Sequence, residues 1–188
     1  MTQRLQIFMA LGLVALIAAC MGPAVDPGPD PAKVVIQVKR NLSHEQVRRA
    51  MTNQGPFPGA WVRLDNFLGP FWEISAQQRQ QDGSWQRLSA APGQPELPDG
   101  YEIEAQKVFL APPGAQELRF RLEAFVNRSW QERVGDPYVY RQGPDGEVYR
   151  EYQPRWRSQS AVIYILDLQR ERKVDLKAGQ EVVLKPFN

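Results

Sequence analysis

The stretch Leu118-Arg119-Phe120-Arg121-Leu122-Glu123-Ala124 decides the fold class. Leu118, Phe120, Leu122 and Ala124 fall on one side of an extended chain, while Arg119, Arg121 and Glu123 fall on the other. A period of two is the mark of a strand with one face in a core and one in water. Working outward, Pro112-Pro113-Gly114 closes the preceding strand, Glu102–Leu110. Earlier, Val34, Ile36 and Val38 alternate in the same way. Phe71–Gln77 follows Gly69-Pro70, which reads as a strand boundary, and Asp82-Gly83 turns the chain before Trp85–Leu88. Later, Tyr138–Gln142 and Glu147–Tyr152 flank Gly143-Pro144-Asp145-Gly146, a four-residue hairpin loop. Ala161–Leu168 is almost continuously Val, Ile, Leu and Tyr, as expected of a central strand covered on both faces. A last pair, Lys173–Leu176 and Glu181–Phe187, surrounds Lys177-Ala178-Gly179-Gln180.

Nine or ten short strands at this spacing predict an all-β domain over residues 33–188. The expected form is an antiparallel β-sandwich of immunoglobulin-like or Greek-key type. One segment departs from the pattern. Ser43 and Gln46 have capping-box spacing, and Leu42 and Val47 stand where a hydrophobic staple would place them. Glu45 suits the positive end of a helix, and Asn53, Gly55 and Pro56 would stop it. A short helix over 43–52 is predicted, with Val47 and Met51 capping one end of the core.

The chain has 188 residues, 23 Lys+Arg against 21 Asp+Glu, a formal net charge of +2, one His and one Cys. That length fits one domain with a substantial core. A nucleic-acid binder would carry a clear basic excess. The single Cys excludes an intrachain disulfide framework and Cys-rich metal sites, and the single His excludes multi-His ligation. No metal and no cofactor are expected. His44 falls at the first helical position, near solvent, with no nucleophile to serve. There is no Gly-x-Ser-x-Gly elbow, phosphate-binding glycine loop or His-Glu-x-x-His helix. Glu102 and Glu104 share a strand face but read as a solvated edge rather than a hydrolytic pair. The sequence therefore predicts no enzyme.

The first twenty residues are of another kind. After Arg4, Leu5–Ala19 is apolar but for Gln6 and Gly12. As a helix it would span roughly 22 Å, short of the ~30 Å hydrocarbon layer. It has the form of a secretory signal over residues 1–19. The ending Leu16-Ile17-Ala18-Ala19-Cys20 resembles the lipobox of bacterial lipoprotein precursors, with Ile17 standing where that family most often has Leu. The resemblance implies diacylglyceryl transfer to the Cys20 sulfur, cleavage before Cys20 and acylation of the new amine. Several acyl chains anchor a protein stably where one does not. Met21 rather than Asp after the Cys implies the outer membrane in a two-membrane cell, and otherwise the outer face of the plasma membrane. Residues 20–32, with Pro23, Pro27, Pro29 and Pro31, read as an extended spacer reaching roughly 35 Å.

The remaining signal is aromatic and arginine density between 128 and 157. With Gln142 paired to Glu147, Tyr140 would oppose Tyr149 and Tyr138 would oppose Glu151. The other face would carry Val139, Arg141, Val148, Arg150 and Tyr152. Neither face is apolar enough for a core, so the hairpin is expected to project. Trp130, Arg155, Trp156 and Arg157 are placed in flanking loops. Tyr, Trp and Arg supply most interface hot spots, while cross-strand aromatic pairing alone would also account for them. The expected function is a lipid-anchored envelope lipoprotein whose domain binds a protein of the envelope or surface layer without catalysis. The alternatives are a carbohydrate or peptidoglycan binder and a carrier for an apolar ligand. Nucleic acid is not expected as a partner.

Overall fold

The computed structural model describes residues 23–54, 62–135 and 137–188. Ten strands and one helix follow in the order β1 (Ala32–Asn41), α1 (His44–Gln54), β2 (Val62–Arg79), β3 (Trp85–Arg87), β4 (Ser89–Ala90), β5 (Glu102–Ala111), β6 (Gly114–Val134), β7 (Tyr138–Gln142), β8 (Val148–Tyr152), β9 (Arg155–Leu176) and β10 (Glu181–Leu184). The fold is mostly β, as the alternation predicts. One four-stranded sheet has the order β10-β1-β5-β4, a second β3-β2-β6-β9, and β7 and β8 pair only with each other. The pairings are antiparallel except β1 with β10, which run parallel.

Both larger sheets feed one core. Ile36 of β1, Phe109 of β5, Ile74 of β2 and Phe120 and Leu122 of β6 belong to one apolar cluster and are essentially inaccessible to water. On the opposite face of β6, Arg119 pairs with Glu171 at 2.7 Å and Arg121 with Asp167 at 2.7 Å. The split into core and charged faces is the one the seven-residue stretch dictates.

The helix begins as the capping box requires. The Ser43 backbone N–H donates to Gln46 Oε1 at 2.8 Å, and the Gln46 N–H donates to Ser43 Oγ at 3.1 Å. These bonds satisfy two donors that the first helical turn leaves open. Val47 and Ala50 are buried and Met51 packs against the cluster, so α1 closes one end of the core.

Three elements differ from the sequence reading. Gly69-Pro70 does not end a strand: β2 runs through it, with the register shifting between Leu68 and Phe71. The reason lies at Gly69, whose φ is +110°, and whose Cβ would stand 2.9 Å from Phe71 N and 3.1 Å from the Phe125 carbonyl oxygen. Only glycine tolerates that bulge. The segment 161–168 is not central. It belongs to β9, last in its sheet, and Val162 and Tyr164 are exposed. Its apolar composition serves the core through Ile163, with Ile165, Leu166 and Leu168 packed against the cluster, while Tyr164 meets Phe125. Residues 23–32 are also not a free spacer. Ala32 opens β1 and is fully buried, Val25 is buried in the core cluster, and the Val25 N–H donates to the Arg87 carbonyl at 2.8 Å.

Candidate functional site

The proposed lipidation residue Cys20 and the motif Leu16, Ile17, Ala18 and Ala19 lie outside the described residues. The other candidates fall on a long arm. β6 and β9 have 21 and 22 residues, and their ladder continues past the core pair Val126 and Ile163 as far as Val134 opposite Arg155. The β7–β8 hairpin sits at its end, and the Gln153 N–H donates to the Pro137 carbonyl at 2.6 Å where the two ladders meet.

The hairpin loop fixes a register one residue away from the sequence reading. Gly143 N–H donates to the Glu147 carbonyl at 2.8 Å, and Gly146 N–H donates back to the Gly143 carbonyl at 3.0 Å. Gly146 has φ +84°. This turn ends in a left-handed glycine and a one-residue bulge, so Gln142 faces Val148 and not Glu147. A slip of one residue moves every side chain of one strand to the other face. Tyr138 therefore opposes Tyr152, Tyr140 opposes Arg150, and Tyr149 lies opposite Arg141 on the reverse face.

The corrected register concentrates the aromatic groups. Tyr138 and Tyr152 meet edge to face with centroids 5.5 Å apart, and the Arg150 guanidinium lies 4.1 Å from the Tyr138 ring centre. Tyr140 continues this face and is 71% exposed. On the reverse face Arg141 pairs with Glu151. The Glu151 carboxyl is held below its ordinary range by a hydrogen bond from Gln153 and then by Arg141. None of the ten strand residues of the hairpin is buried.

The other four candidates are strand residues, not loop residues. Arg155, Trp156 and Arg157 open β9, opposite Val134, Arg133 and Glu132. The arginines are exposed and Trp156 is half-buried. Trp130 lies within β6 and is only 6% exposed, which removes it from any binding surface. The Arg128 guanidinium stands between it and Phe67, 5.4 Å and 5.2 Å from the two ring centres. Both distances are within cation–π range, so the buried Arg128 guanidinium is attracted to each ring.

A second group of residues went unseen in the sequence. On the charged side of the β2–β6–β9 ladder, Phe71, Phe125 and Tyr164 align across three strands, with centroids 5.7 Å and 6.0 Å apart. Beside them run Glu73, Glu123 and Asp167. Burial pushes the Glu123 carboxyl up, Asp167 and Glu73 add to the rise, and Arg121 opposes it. Asp167 is held down chiefly by its hydrogen bond from Arg121. One signal could have found this row. Ala124-Phe125-Val126 interrupts the alternation, so one of the three must leave the core face.

His44 is exposed and packs against Tyr101, with ring centroids 4.3 Å apart and planes tilted at 44°. Among the described residues no group of three or more His, Cys, Asp or Glu side chains could hold a metal ion, and no helix is long and apolar enough to cross a membrane. No family model matches the chain, and no curated protein or solved structure is detectably similar to it.

Proposed function

We propose that the chain is a lipid-anchored envelope lipoprotein whose β domain is a non-catalytic binding module. The β7–β8 hairpin is its contact with a protein partner. The carrying observation is the hairpin face of Tyr138, Tyr140, Arg150 and Tyr152: ordered by cross-strand contacts, yet with no residue in the core. Tyr and Arg gain most when a partner desolvates them, and a rigid ladder lowers the entropy lost on binding. The lipobox-like sequence ending at Cys20 supports the anchor, with the outer membrane as the location where the cell has two membranes. Two four-stranded sheets over a shared core support an immunoglobulin-like or Greek-key sandwich as the finer description of the fold.

The test is recovery of partners from solubilised envelopes by the lipidated protein. A stoichiometric protein partner, lost on Tyr140→Ala with Tyr152→Ala at unchanged stability, supports the reading. Equal recovery by the double variant refutes it. Cys20→Ser should abolish incorporation of labelled fatty acid into the chain; undiminished incorporation, or none in the parent chain, refutes the anchor.

A further inference from the structure

We propose that a cleft between the 91–99 loop and the β2–β6 ladder is a saccharide-binding site for sugars without acidic groups. This inference is independent of the hairpin, which lies on other elements. The cleft has a volume of about 600 Å³, is broadly open to solvent, and is lined in part by Phe71 and Phe125. That volume falls within the usual range for ligand sites, roughly 300–1,000 Å³. The two rings are tilted at 38°, so together they form a shallow apolar seat instead of a closed pocket.

The rim is polar. Glu73, Glu96, Asp99, Lys107 and Asn127 surround the seat. A pyranose presents C–H bonds on its faces and hydroxyls around its edge. The phenyl faces accept the C–H side, while carboxylates and the Asn127 amide take the hydroxyls. Three carboxylates against one ammonium give the rim a negative field, which repels uronates and phosphosugars and tolerates neutral or amino-bearing sugars.

The wall is pre-formed. Pro92, Pro95 and Pro98 restrict the loop. Ala91 N–H donates to the Val108 carbonyl at 2.9 Å, and Val108 N–H donates to Gln94 Oε1 at 3.2 Å. At the far end Gly100 N–H donates to the Pro70 carbonyl, and its own carbonyl accepts the Trp72 indole N–H, both at 2.8 Å. A loop fixed at both ends costs little further ordering when a ligand binds. Trp72 also lines the cleft, so occupancy should perturb its fluorescence.

The test is calorimetric titration of the full chain in detergent with four probes: an N-acetylglucosamine oligomer, a glucosamine oligomer, a galacturonate oligomer and an oligolysine peptide. Binding of either non-acidic sugar, weakened about tenfold or more by Phe125→Ala, is expected. Tyr140→Ala should leave it unchanged, which separates this site from the hairpin. Glu96→Gln with Asp99→Asn, both on the loop surface, should weaken binding if Phe125→Ala does not fold. Absence of sugar binding, preference for galacturonate, capture of oligolysine alone, or full affinity in both variants overturns the proposal.

Discussion

Phe120 and Phe125 stand five residues apart on one strand and are assigned to opposite faces, so truncating each in turn interrogates the sheet directly. Phe120 is fully buried in the shared core, between Ala76 and Arg170 in the ladder. Phe120→Ala removes the buried ring and leaves a cavity, at a cost of about 3–5 kcal/mol. Phe125 is half-buried on the charged side. Its truncation forfeits about half of a full transfer term, roughly 1–1.5 kcal/mol. Typical domains have about 5–15 kcal/mol in total, so Phe120→Ala consumes a large share. At this size each kcal/mol moves the thermal midpoint by about 2–4 °C, which gives a fall of roughly 6–20 °C for Phe120→Ala. Urea titration followed by far-UV circular dichroism, with the slope m unchanged, reads both values. A cost under about 1 kcal/mol for Phe120→Ala, or the reverse ranking, would refute the facing of β6.

Three further outcomes are expected. Ser43→Ala removes the N-cap and should cost about 1 kcal/mol in unfolding free energy, with Ser43→Gly milder; equal stability would dissolve the capping argument. Gly69→Ala should destabilise by more than 1 kcal/mol, because its Cβ meets backbone at +110° φ; a neutral result would show that the bulge relaxes freely. Glu123→Gln should be stabilising near pH 7. Its folded pKa is raised above the ordinary glutamate value, so between those two values the native state holds a proton that the unfolded chain has lost, and stability falls as pH rises through that interval. Asp167 works oppositely: its contribution is present above the ordinary aspartate range and is lost as pH falls through its lowered value. The Glu123→Gln advantage should thus be absent in acid and grow toward neutrality, chiefly because the partly buried charge is removed and secondarily because the like charges of Asp167 and Glu73 are relieved. A pH-independent difference in denaturation midpoints would contradict the assignment.

Much of this was legible because local rules and global packing agreed. The Ser43–Gln46 pair specifies a helix start without tertiary help, and the alternation around Phe120 specifies a half-buried strand. The failures have particular causes. Gly69-Pro70 carries a turn signal, but a left-handed glycine also permits a bulge, and the pairing with β6 selects the bulge. Gly143-Pro144-Asp145-Gly146 marked the hairpin correctly, yet its register depends on the bulge at Gly146, which moves the aromatic groups to a different face. Ala161–Leu168 has the composition of a central strand. Whether neighbours flank it on both sides is decided by topology, beyond what its own residues encode. Trp130 sits among Ser129, Gln131 and Glu132, a polar setting that hides a buried indole. The run Ala124-Phe125-Val126 marks one apolar residue off the core face, but Phe71 and Tyr164 join Phe125 only once three distant strands are in register.

The central claim is that the β7–β8 hairpin serves recognition and contributes little to folding. The strands leading into it already meet at Pro137 and Gln153, so residues 138–152 can be replaced by an Asn-Gly turn. Partner recovery and the urea unfolding free energy are then measured on the same full-length chain. The account predicts an unfolding free energy within about 0.5 kcal/mol of the parent together with loss of the partner. Retention of the partner at parental stoichiometry would contradict it.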